Sequence, residues 1–422
     1  VETGKNHGVY VKSPNGNVKK FLHKQTVETL KKEGAVDERN KCNIDTGALW
    51  LSPVVMEKLY GLVDTEEKYA SIVNDKVRLS LYGDIAYCMA EDSTLKRFYK
   101  EAPEGDFCEE LTAARERLWD AISIYRMKLL NLSPARFVHF GSISEILRLM
   151  DTGVNEYASL GWKKQISSSI SRKGVAGYNS ILSDKATIGK GCYLEVSFVH
   201  SGSKVGSNCY LSFVDIHGEK IPDNVLLHGL KQMNGKFVCR IMDVSDNPKS
   251  GNIFRESFES VTKKLHIPAS ALWEEGEAHT LWNAKLYPEC DTIKEAVAAA
   301  LSLYDLFVNG SGDKEAWLNA GRKSLCSGFN DADSRAIIDW VKRMEELVKM
   351  DEIMKLIQNS SSAEEGVAIL NAKRLTKIQE QWLEKELQKL DCHKLPDFSL
   401  AIRLYYYLGV ALHDESYIRK CF

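Results

Sequence analysis

The sequence has 422 residues, of which 44% are hydrophobic and 27% are charged, a composition typical of a globular protein with room for two or three domains. Its 56 basic and 58 acidic residues are mixed along the chain and give a formal net charge of -2. This balance excludes the basic surface by which proteins bind nucleic acid or a membrane, and it leaves small polar ligands as candidates.

Cysteine usage and the start of the chain indicate its compartment. The 10 cysteines include no Cys-x-x-Cys pair and no matching cluster with histidine, which argues against a structural zinc site or a disulfide framework. No apolar run approaches the ~18 residues that span a bilayer, and residues 1–4 resemble neither a signal peptide nor a natural start with Met. We expect a cytoplasmic protein and an internal fragment of a longer chain.

The first region, residues 1–165, mixes short strands with amphipathic helices. Residues 8–12 and 18–22 flank Asn15-Gly16, which is a strong signal for a two-residue β-hairpin. The apolar residues 48–51 predict another strand, and Pro53 near the start of a helical pattern predicts a helix directly after it. A strand that leads into a helix is typical of an α/β domain.

An internal repeat begins near residue 181. The segments 187–194, 204–211 and 220–227 superimpose, and their aliphatic anchors Ile188, Val205 and Ile221 recur at nearly constant spacing. Such spacing favours a parallel β-helix, in which each face is a short strand and each corner takes Gly, Asn or Asp. Two Ser-Phe-Val triplets, at 197–199 and 212–214, predict a further face of the same coils. We assign residues 166–290 to this domain.

Residues 291–422 are predicted to form an α-helical domain. Thr292 and Glu295 have the spacing of a capping box before an alanine-rich run. Residues 331–357 show helical spacing, and Ser361 or Ser362 predicts the start of a helix that extends to about residue 390. These helices serve either as a connector or contact surface for other domains, or as a domain that buries its own apolar stripe.

Two segments of the first region resemble the sugar-1-phosphate nucleotidyltransferase family. Residues 20–25, with the sequence Lys-Phe-Leu-His-Lys-Gln, resemble the family's strand that ends in Glu-Lys-Pro. Residues 43–50, with Asn-Ile-Asp-Thr-Gly-Ala-Leu-Trp, resemble its Thr-Gly-Leu-Tyr strand. The resemblance implies that Lys24 is the catalytic lysine that contacts the sugar phosphate. It also implies that Asp45, Thr46 and Gly47 lie along the sugar.

The chemistry of these residues fits the implied roles. A lysine ammonium is a point charge suited to a phosphate and to the charge that develops on a leaving pyrophosphate. Glycine at position 47 allows the backbone to approach a sugar ring. The alternative for Lys24 is a solvated lysine at the end of a strand.

A metal site is implied by a third similarity. Residues 135–147 resemble the family's strand-to-helix turn, in which an Asp binds the catalytic Mg²⁺, and His139 occupies the position of that Asp. Imidazole is a poor ligand for Mg²⁺, which prefers carboxylate oxygens and water. Asp84 is therefore a second candidate, both for Mg²⁺ and for substrate, and its alternative is a surface or turn-capping residue.

The order of these motifs resembles the fucose-1-phosphate guanylyltransferase branch of the family. Residues 81–84, 137–145 and 280–288 carry that similarity. It implies a partial α/β nucleotidyltransferase core followed by a short left-handed parallel β-helix and an α-helical domain. In the bifunctional enzymes of this branch, such helices connect the guanylyltransferase to an L-fucokinase.

The implied reaction joins GTP and L-fucose-1-phosphate, releases pyrophosphate and needs positioning and charge neutralisation rather than a covalent nucleophile. The glycine-rich loop that cradles a triphosphate is absent from this sequence, and residues 310–313 are a helix stop. We therefore expect the chain to be inactive alone and to depend on the rest of a longer chain, with a homo-oligomer as a further option.

Two other functional classes stay open. A β-helix acyltransferase would use a histidine base that protrudes from a coil, and His200, His217 and His228 lie in the right region. A noncatalytic scaffold or regulatory subunit would keep the fold without the metal carboxylate, and His139 favours that alternative. The polar turn at residues 243–249 either reaches a substrate or caps the coil.

Overall fold

A computed structural model describes residues 3–74, 76–132, 138, 140–373, 375, 377–388, 390, 393 and 395–421. Contacts within the chain divide it into two compact units, Val1–Val138 and His139–Phe422. The structure combines an α/β region, a β-solenoid of about three turns and a helical C-terminal region, which confirms the predicted fold class.

The first unit is built on a small antiparallel sheet. Strands β1 (Gly8–Lys12) and β2 (Val18–His23) form the predicted hairpin, and β3 (Asn43–Ile44) pairs with the other edge of β1. The hairpin loop is wider than the predicted two residues, because the Ser13 N–H donates to the Asn17 carbonyl oxygen at 2.9 Å and a bulge follows Val11.

Short helices surround this sheet. Ser52 caps the predicted helix at Pro53, whereas residues 48–51 are not a strand, since β1 pairs instead with Asn43–Ile44. Leu118 and Ile122 of the longest helix of this unit, Glu109–Ile122, are buried in one apolar cluster with Phe98. The helices are α1 (Val27–Lys32), α2 (Pro53–Tyr60), α3 (Glu66–Ile72), α4 (Leu95–Phe98) and α5 (Glu109–Ile122), with a 3₁₀ turn at Thr3–Asn6 and a π-helical turn at Leu81–Ala86.

The second unit contains the predicted solenoid, whose coils stack as three parallel sheets. Val205 pairs with Ile188 on one side and Ile221 on the other, as the repeat predicts. The strands are β4 (Gln165–Ile166), β5 (Val175–Tyr178), β6 (Ile181–Leu182), β7 (Thr187–Ile188), β8 (Cys192–Glu195), β9 (Phe198–Val199), β10 (Lys204–Val205), β11 (Tyr210–Ser212), β12 (Asp215–Ile216) and β13 (Lys220–Ile221).

The Ser-Phe-Val triplets do not stack on each other. Phe198 pairs with Asp215, and Ser212 pairs with Glu195 and His228 on a different sheet. The triplets are too close in sequence, because the coil needs the longer spacing that separates Ile188 from Val205. The prediction that the two triplets form one further face of the coils was therefore wrong.

An antiparallel hairpin and a helix cover the end of the coil. Strands β14 (Val225–Lys231) and β15 (Phe237–Asp243) pair along their whole length, and helix α8 (Ile293–Tyr304) packs on them. The predicted capping box at Thr292 and Glu295 is present. Buried Ala296, Val297 and Ala300 belong to the same apolar core as the solenoid.

Helix α6 (Ile143–Asp151) also packs on the solenoid, where Leu147 contacts a cluster with Ala176 and Tyr193. Contacts divide the chain at Val138, and the predicted domain boundaries near residues 165 and 290 stay predictions. The remaining elements before the C-terminal helices are a 3₁₀ helix at Gly153–Leu160, β16 (Asn252–Ile253), β17 (Glu256–Ser257), α7 (Phe258–Leu265), a 3₁₀ turn at Ala269–Ala271 and β18 (Tyr287–Pro288).

The C-terminal helices have an apolar cluster of their own, which includes Ile353, Leu383 and Leu404. The helix predicted from Ser361 to about residue 390 is two helices, and no described helix is long and apolar enough to cross a membrane. The elements are a π-helical turn at Asp305–Asn309, α9 (Lys314–Asn319), β19 (Arg322–Lys323), α10 (Leu325–Asn330), α11 (Ser334–Gln358), α12 (Ala363–Lys373), α13 (Lys377–Gln388), α14 (Leu395–Leu412) and α15 (Glu415–Arg419).

Candidate functional site

A cleft of about 1100 Å³ lies within the first unit and includes two of the predicted site residues, Asp45 and Thr46. Its walls come from the β1–β2 hairpin, from residues 34–55, which include β3, and from residues 125–132. This volume is sufficient for a small polar ligand such as a sugar phosphate.

Asp45 is positioned by the edge of the sheet. It directly follows β3, and its N–H donates to the carbonyl oxygen of Gly8 at 2.9 Å. The side chain is buried and accepts a hydrogen bond from the Tyr10 hydroxyl at 3.1 Å. Burial and the neighbouring Asp45 raise the pKa of both Tyr10 and Tyr82, so these phenols stay protonated and remain donors toward the carboxylate.

Aromatic side chains surround Tyr82. Phe21 stacks on Tyr82 with ring centroids 5.8 Å apart, and His23 lies 6.2 Å from the same ring. Burial, followed by the charge of Lys24, lowers the pKa of His23, so its neutral form is favoured here. The aromatic group and Tyr10 therefore hold Asp45 in one place.

Lys24 and Gly47 flank this group without being among the residues that line the cleft. Lys24 is exposed, has a left-handed backbone with φ 49°, and its N–H donates to the His7 carbonyl oxygen at 3.2 Å. Gly47 has φ 78°, and a Cβ there would lie 3.4 Å from the Tyr82 hydroxyl. A side chain at position 47 would thus be strained and close to the phenol that faces Asp45.

Five cations border the cleft, and sequence reasoning missed all of them. Lys12, Lys41 and Lys128 are exposed, and their ammonium groups have no partner among the described residues. They come from three separated segments, so no motif in the sequence signals them. The lining holds two carboxylates, those of Asp37 and Asp45, against the five cations Lys12, Arg39, Lys41, Arg126 and Lys128. This excess of positive charge suits an anionic ligand.

Asp84 does not face the cleft. One of its oxygens accepts from Arg115 Nε at 2.8 Å and the other accepts from the Ser80 N–H at 2.7 Å. Both side chains of this ion pair are almost fully buried. The carboxylate predicted as a Mg²⁺ or substrate ligand is therefore committed to Arg115, in the turn-capping position that was its alternative. His139 lies outside the described residues.

The remaining carboxylates of the cleft are also engaged. Asp37 accepts from the backbone N–H groups of Arg39 and Lys41 through one oxygen. Asp45 accepts from Tyr10. Mg²⁺ prefers several oxygen ligands, and only two carboxylates stand against five cations among the described lining residues, so these residues do not fit a dedicated magnesium site.

The three histidines named for an acyltransferase lie in the solenoid. His200 and His217 stack on each other in successive coils, with ring centroids 3.9 Å apart. His228 lies on a different sheet beside Arg240. Burial and the charge of Arg240 lower the pKa of His228 well below its ordinary value. The three imidazoles therefore do not form one site.

Comparisons with known proteins agree with the order of motifs. The family model described as the fucose pyrophosphorylase domain matches residues 1–292. The chain is 21% identical over 352 residues to a fucose-1-phosphate guanylyltransferase of Mus musculus, and 22% identical over 354 residues to one of Homo sapiens. Each alignment covers 73% of this chain, with 60% of the mouse protein and 58% of the human protein.

The chain thus spans about three fifths of the length of these curated relatives. No solved structure matches it significantly. The family match covers more than half of the chain and includes both the cleft and the solenoid. The chain belongs to the fucose pyrophosphorylase domain family.

Proposed function

We propose that this chain carries the sugar-phosphate side of a fucose-1-phosphate guanylyltransferase, which converts GTP and L-fucose-1-phosphate into GDP-L-fucose and pyrophosphate. The observation that carries the proposal is the position of Asp45 and Thr46 in a cleft bordered by five cations. The names of the mouse and human relatives support the same reaction.

The cleft offers two kinds of group that suit a sugar phosphate: ammonium groups for the phosphate and a carboxylate for the sugar hydroxyls. The ammonium groups of Lys12, Lys41 and Lys128 attract the phosphate and reduce the repulsion between it and the triphosphate of GTP. The carboxylate of Asp45 accepts hydrogen bonds from sugar hydroxyls while Tyr10 keeps it oriented. A phosphate held in this way attacks the α-phosphorus of GTP, and positioning supplies most of the rate.

Lys24, Thr46 and Gly47 keep the roles implied by the resemblance. The exposed ammonium of Lys24 supplies a further positive charge for the sugar phosphate, and the backbone at Gly47 lies along the sugar beside Tyr82. Mg²⁺ enters as the companion of GTP, and no step depends on a magnesium ligand from this chain. Connection to an L-fucokinase stays a prediction.

The test measures pyrophosphate release from GTP and L-fucose-1-phosphate with Mg²⁺, using the longest native form of the protein that contains these residues. We expect Lys24→Ala and Asp45→Asn to lower kcat/KM by at least about tenfold, since each removes a charge near the sugar phosphate. Lys19→Ala is the matched control, because Lys19 is an exposed lysine of β2, five residues before Lys24, and it belongs to neither the cleft nor the motif that carries the resemblance.

A noncatalytic scaffold is the second candidate, and the engagement of Asp84 with Arg115 favours it. The two candidates differ in one result. A protein that releases no pyrophosphate with any sugar-1-phosphate, yet is folded, supports the scaffold. Turnover that is equal in wild type, Lys24→Ala and Asp45→Asn would reject the proposed site while keeping the reaction.

A further inference from the structure

Three potential metal ligands lie on one face of the solenoid, in the second unit. Strands β9 and β12 pair in parallel, with Phe198 opposite Asp215 and Val199 opposite Ile216. His200 and His217 follow directly, and the His200 N–H donates to the Ile216 carbonyl oxygen at 2.9 Å. The backbone of two consecutive coils therefore fixes where both imidazoles begin.

The side chains converge on a single carboxylate. His200 Nε2 lies 2.7 Å from one oxygen of Asp215, and His217 Nε2 lies 3.1 Å from the other. Among the described residues, these three form the only group of His, Cys, Asp or Glu whose ligand atoms lie close enough to hold a metal ion, all within 4.8 Å of one another. Each side chain is about one third exposed, so an ion can reach the group from solvent.

Stacking fixes the planes of both rings. Phe198 stacks on His200 with centroids 3.7 Å apart, and His200 stacks on His217 with an interplanar angle of 16°. The backbone N–H of His217 donates to the Glu219 carboxylate.

We propose that His200, Asp215 and His217 bind a divalent transition-metal ion of the Zn²⁺ class. Zinc takes imidazole nitrogens and carboxylate oxygens at about 2.0–2.2 Å, which places neighbouring ligand atoms about 3.4 Å apart in a tetrahedral site. The two distances from the imidazoles to the carboxylate, 2.7 and 3.1 Å, are shorter than that value, so the side chains must rotate apart to make room for the ion. Two imidazoles disfavour Mg²⁺ and Ca²⁺, which prefer oxygen ligands.

The ion connects two successive coils and keeps one coordination position for water. It replaces hydrogen bonds from two imidazoles to one carboxylate with three bonds to the metal, so the folded coil gains the binding free energy. The site is independent of the sugar-phosphate cleft, because every ligand belongs to the second unit. A negative result for the metal site would therefore leave the proposed reaction untouched, and the reverse also holds.

The experiment titrates Zn²⁺ and Co²⁺ into the 422-residue chain after chelator treatment. We expect one equivalent of Zn²⁺ to bind by calorimetry and to raise the melting temperature. We also expect bound Co²⁺ to show the intense visible bands of four-coordinate geometry rather than the weak bands of hydrated Co²⁺. Loss of one of three ligands in His217→Gln or Asp215→Asn should weaken Zn²⁺ binding at least about tenfold.

His279→Gln is the matched control, because His279 is an exposed histidine that stacks on Trp273 and does not belong to the cluster of three ligands. It should bind Zn²⁺ as the wild type does. Equal affinity in the wild type, His217→Gln and Asp215→Asn would overturn the proposal. Should a variant fail to fold, the Co²⁺ spectrum of the wild type decides alone, and the spectrum of hydrated Co²⁺ rejects the site.

Discussion

Arg115 is among the largest fully buried side chains of the first unit, and its charge needs compensation there. Asp84 supplies it, and Arg115 also donates to the carbonyl oxygens of Phe98 and Glu101 at 3.1 and 2.9 Å. The Asp-containing sequence motif alone could not distinguish this role from metal binding, because the partner lies 31 residues away.

Replacement of Asp84 by Asn should destabilise the first unit by about 3–5 kcal/mol, since it leaves the buried guanidinium without its counter-charge. Asp64→Asn is the matched control. Asp64 pairs with Lys68 at 2.7 Å on the surface, and such a pair contributes less than about 1 kcal/mol. Urea unfolding with hydrogen exchange of peptides from α5 measures both changes. Similar losses in the two variants would contradict a structural role for Asp84.

The candidate site was partly predictable at the residue scale. Asp45 and Thr46 line the cleft and belong to a motif that is local in sequence, and their roles stay a prediction. The lysines at 12, 41 and 128 were missed, because three separate segments bring them to one cleft only after folding. A charge that is scattered in sequence gives no local signal.

At the scale of elements, the solenoid was the most predictable part. Each coil must place an aliphatic residue inward, so Leu194, Leu211 and Leu227 stack in register and are all buried. The Ser-Phe-Val triplets match in sequence but lack the spacing of one coil, so nothing required them to stack. The capping box at Thr292 was predictable for a similar reason, because it needs only local spacing.

Close stacking of the coils makes Gly206 sensitive to substitution. A Cβ at Gly206 would lie 2.7 Å from the backbone nitrogen of Asp223 and 2.8 Å from its Cα, and backbone atoms in the next coil cannot easily move away. We expect Gly206→Ala to lower the free energy of unfolding by about 1–3 kcal/mol or more.

Gly321→Ala provides the control for Gly206→Ala. A Cβ at Gly321 would meet nothing closer than the Glu289 side chain at 3.7 Å, and neither glycine has a positive φ. Urea unfolding of the two variants therefore compares added volume at constant backbone strain. An equal, small effect at both positions would mean that the coils separate readily at this corner.

At the scale of the whole molecule, the sequence predicted the kinds of region in the right order, but it did not specify which elements pack against each other. Helix α6 has a clear apolar stripe, yet a stripe does not specify its partner, and Leu147 packs on the solenoid. Helix α8 likewise shares the solenoid core through Val297. Amphipathic periodicity predicts that a face is buried, and only the fold decides against what.

The half-buried His228 should make the second unit sensitive to mild acid. Folding lowers the pKa of His228 well below the ordinary value of 6.5. Between these two pKa values, the side chain is protonated in the unfolded chain and neutral in the folded chain. Stability due to His228 is therefore complete above pH 6.5 and falls as the pH drops toward the lower folded pKa. The limiting slope is about 1.4 kcal/mol per pH unit for one such histidine.

We expect the free energy of unfolding of the second unit to fall between pH 7.5 and pH 5.5, and His228→Gln to flatten that fall. This window lies above the usual range of carboxyl groups, so the histidine dominates the comparison. Hydrogen exchange of peptides from β14 and β15 at several pH values, combined with urea, measures the slope. His279→Gln, which changes an exposed imidazole, should keep the wild-type slope. If His228→Gln keeps the wild-type slope as well, protonation of His228 is not what couples folding to pH, because glutamine cannot take up a proton in this range.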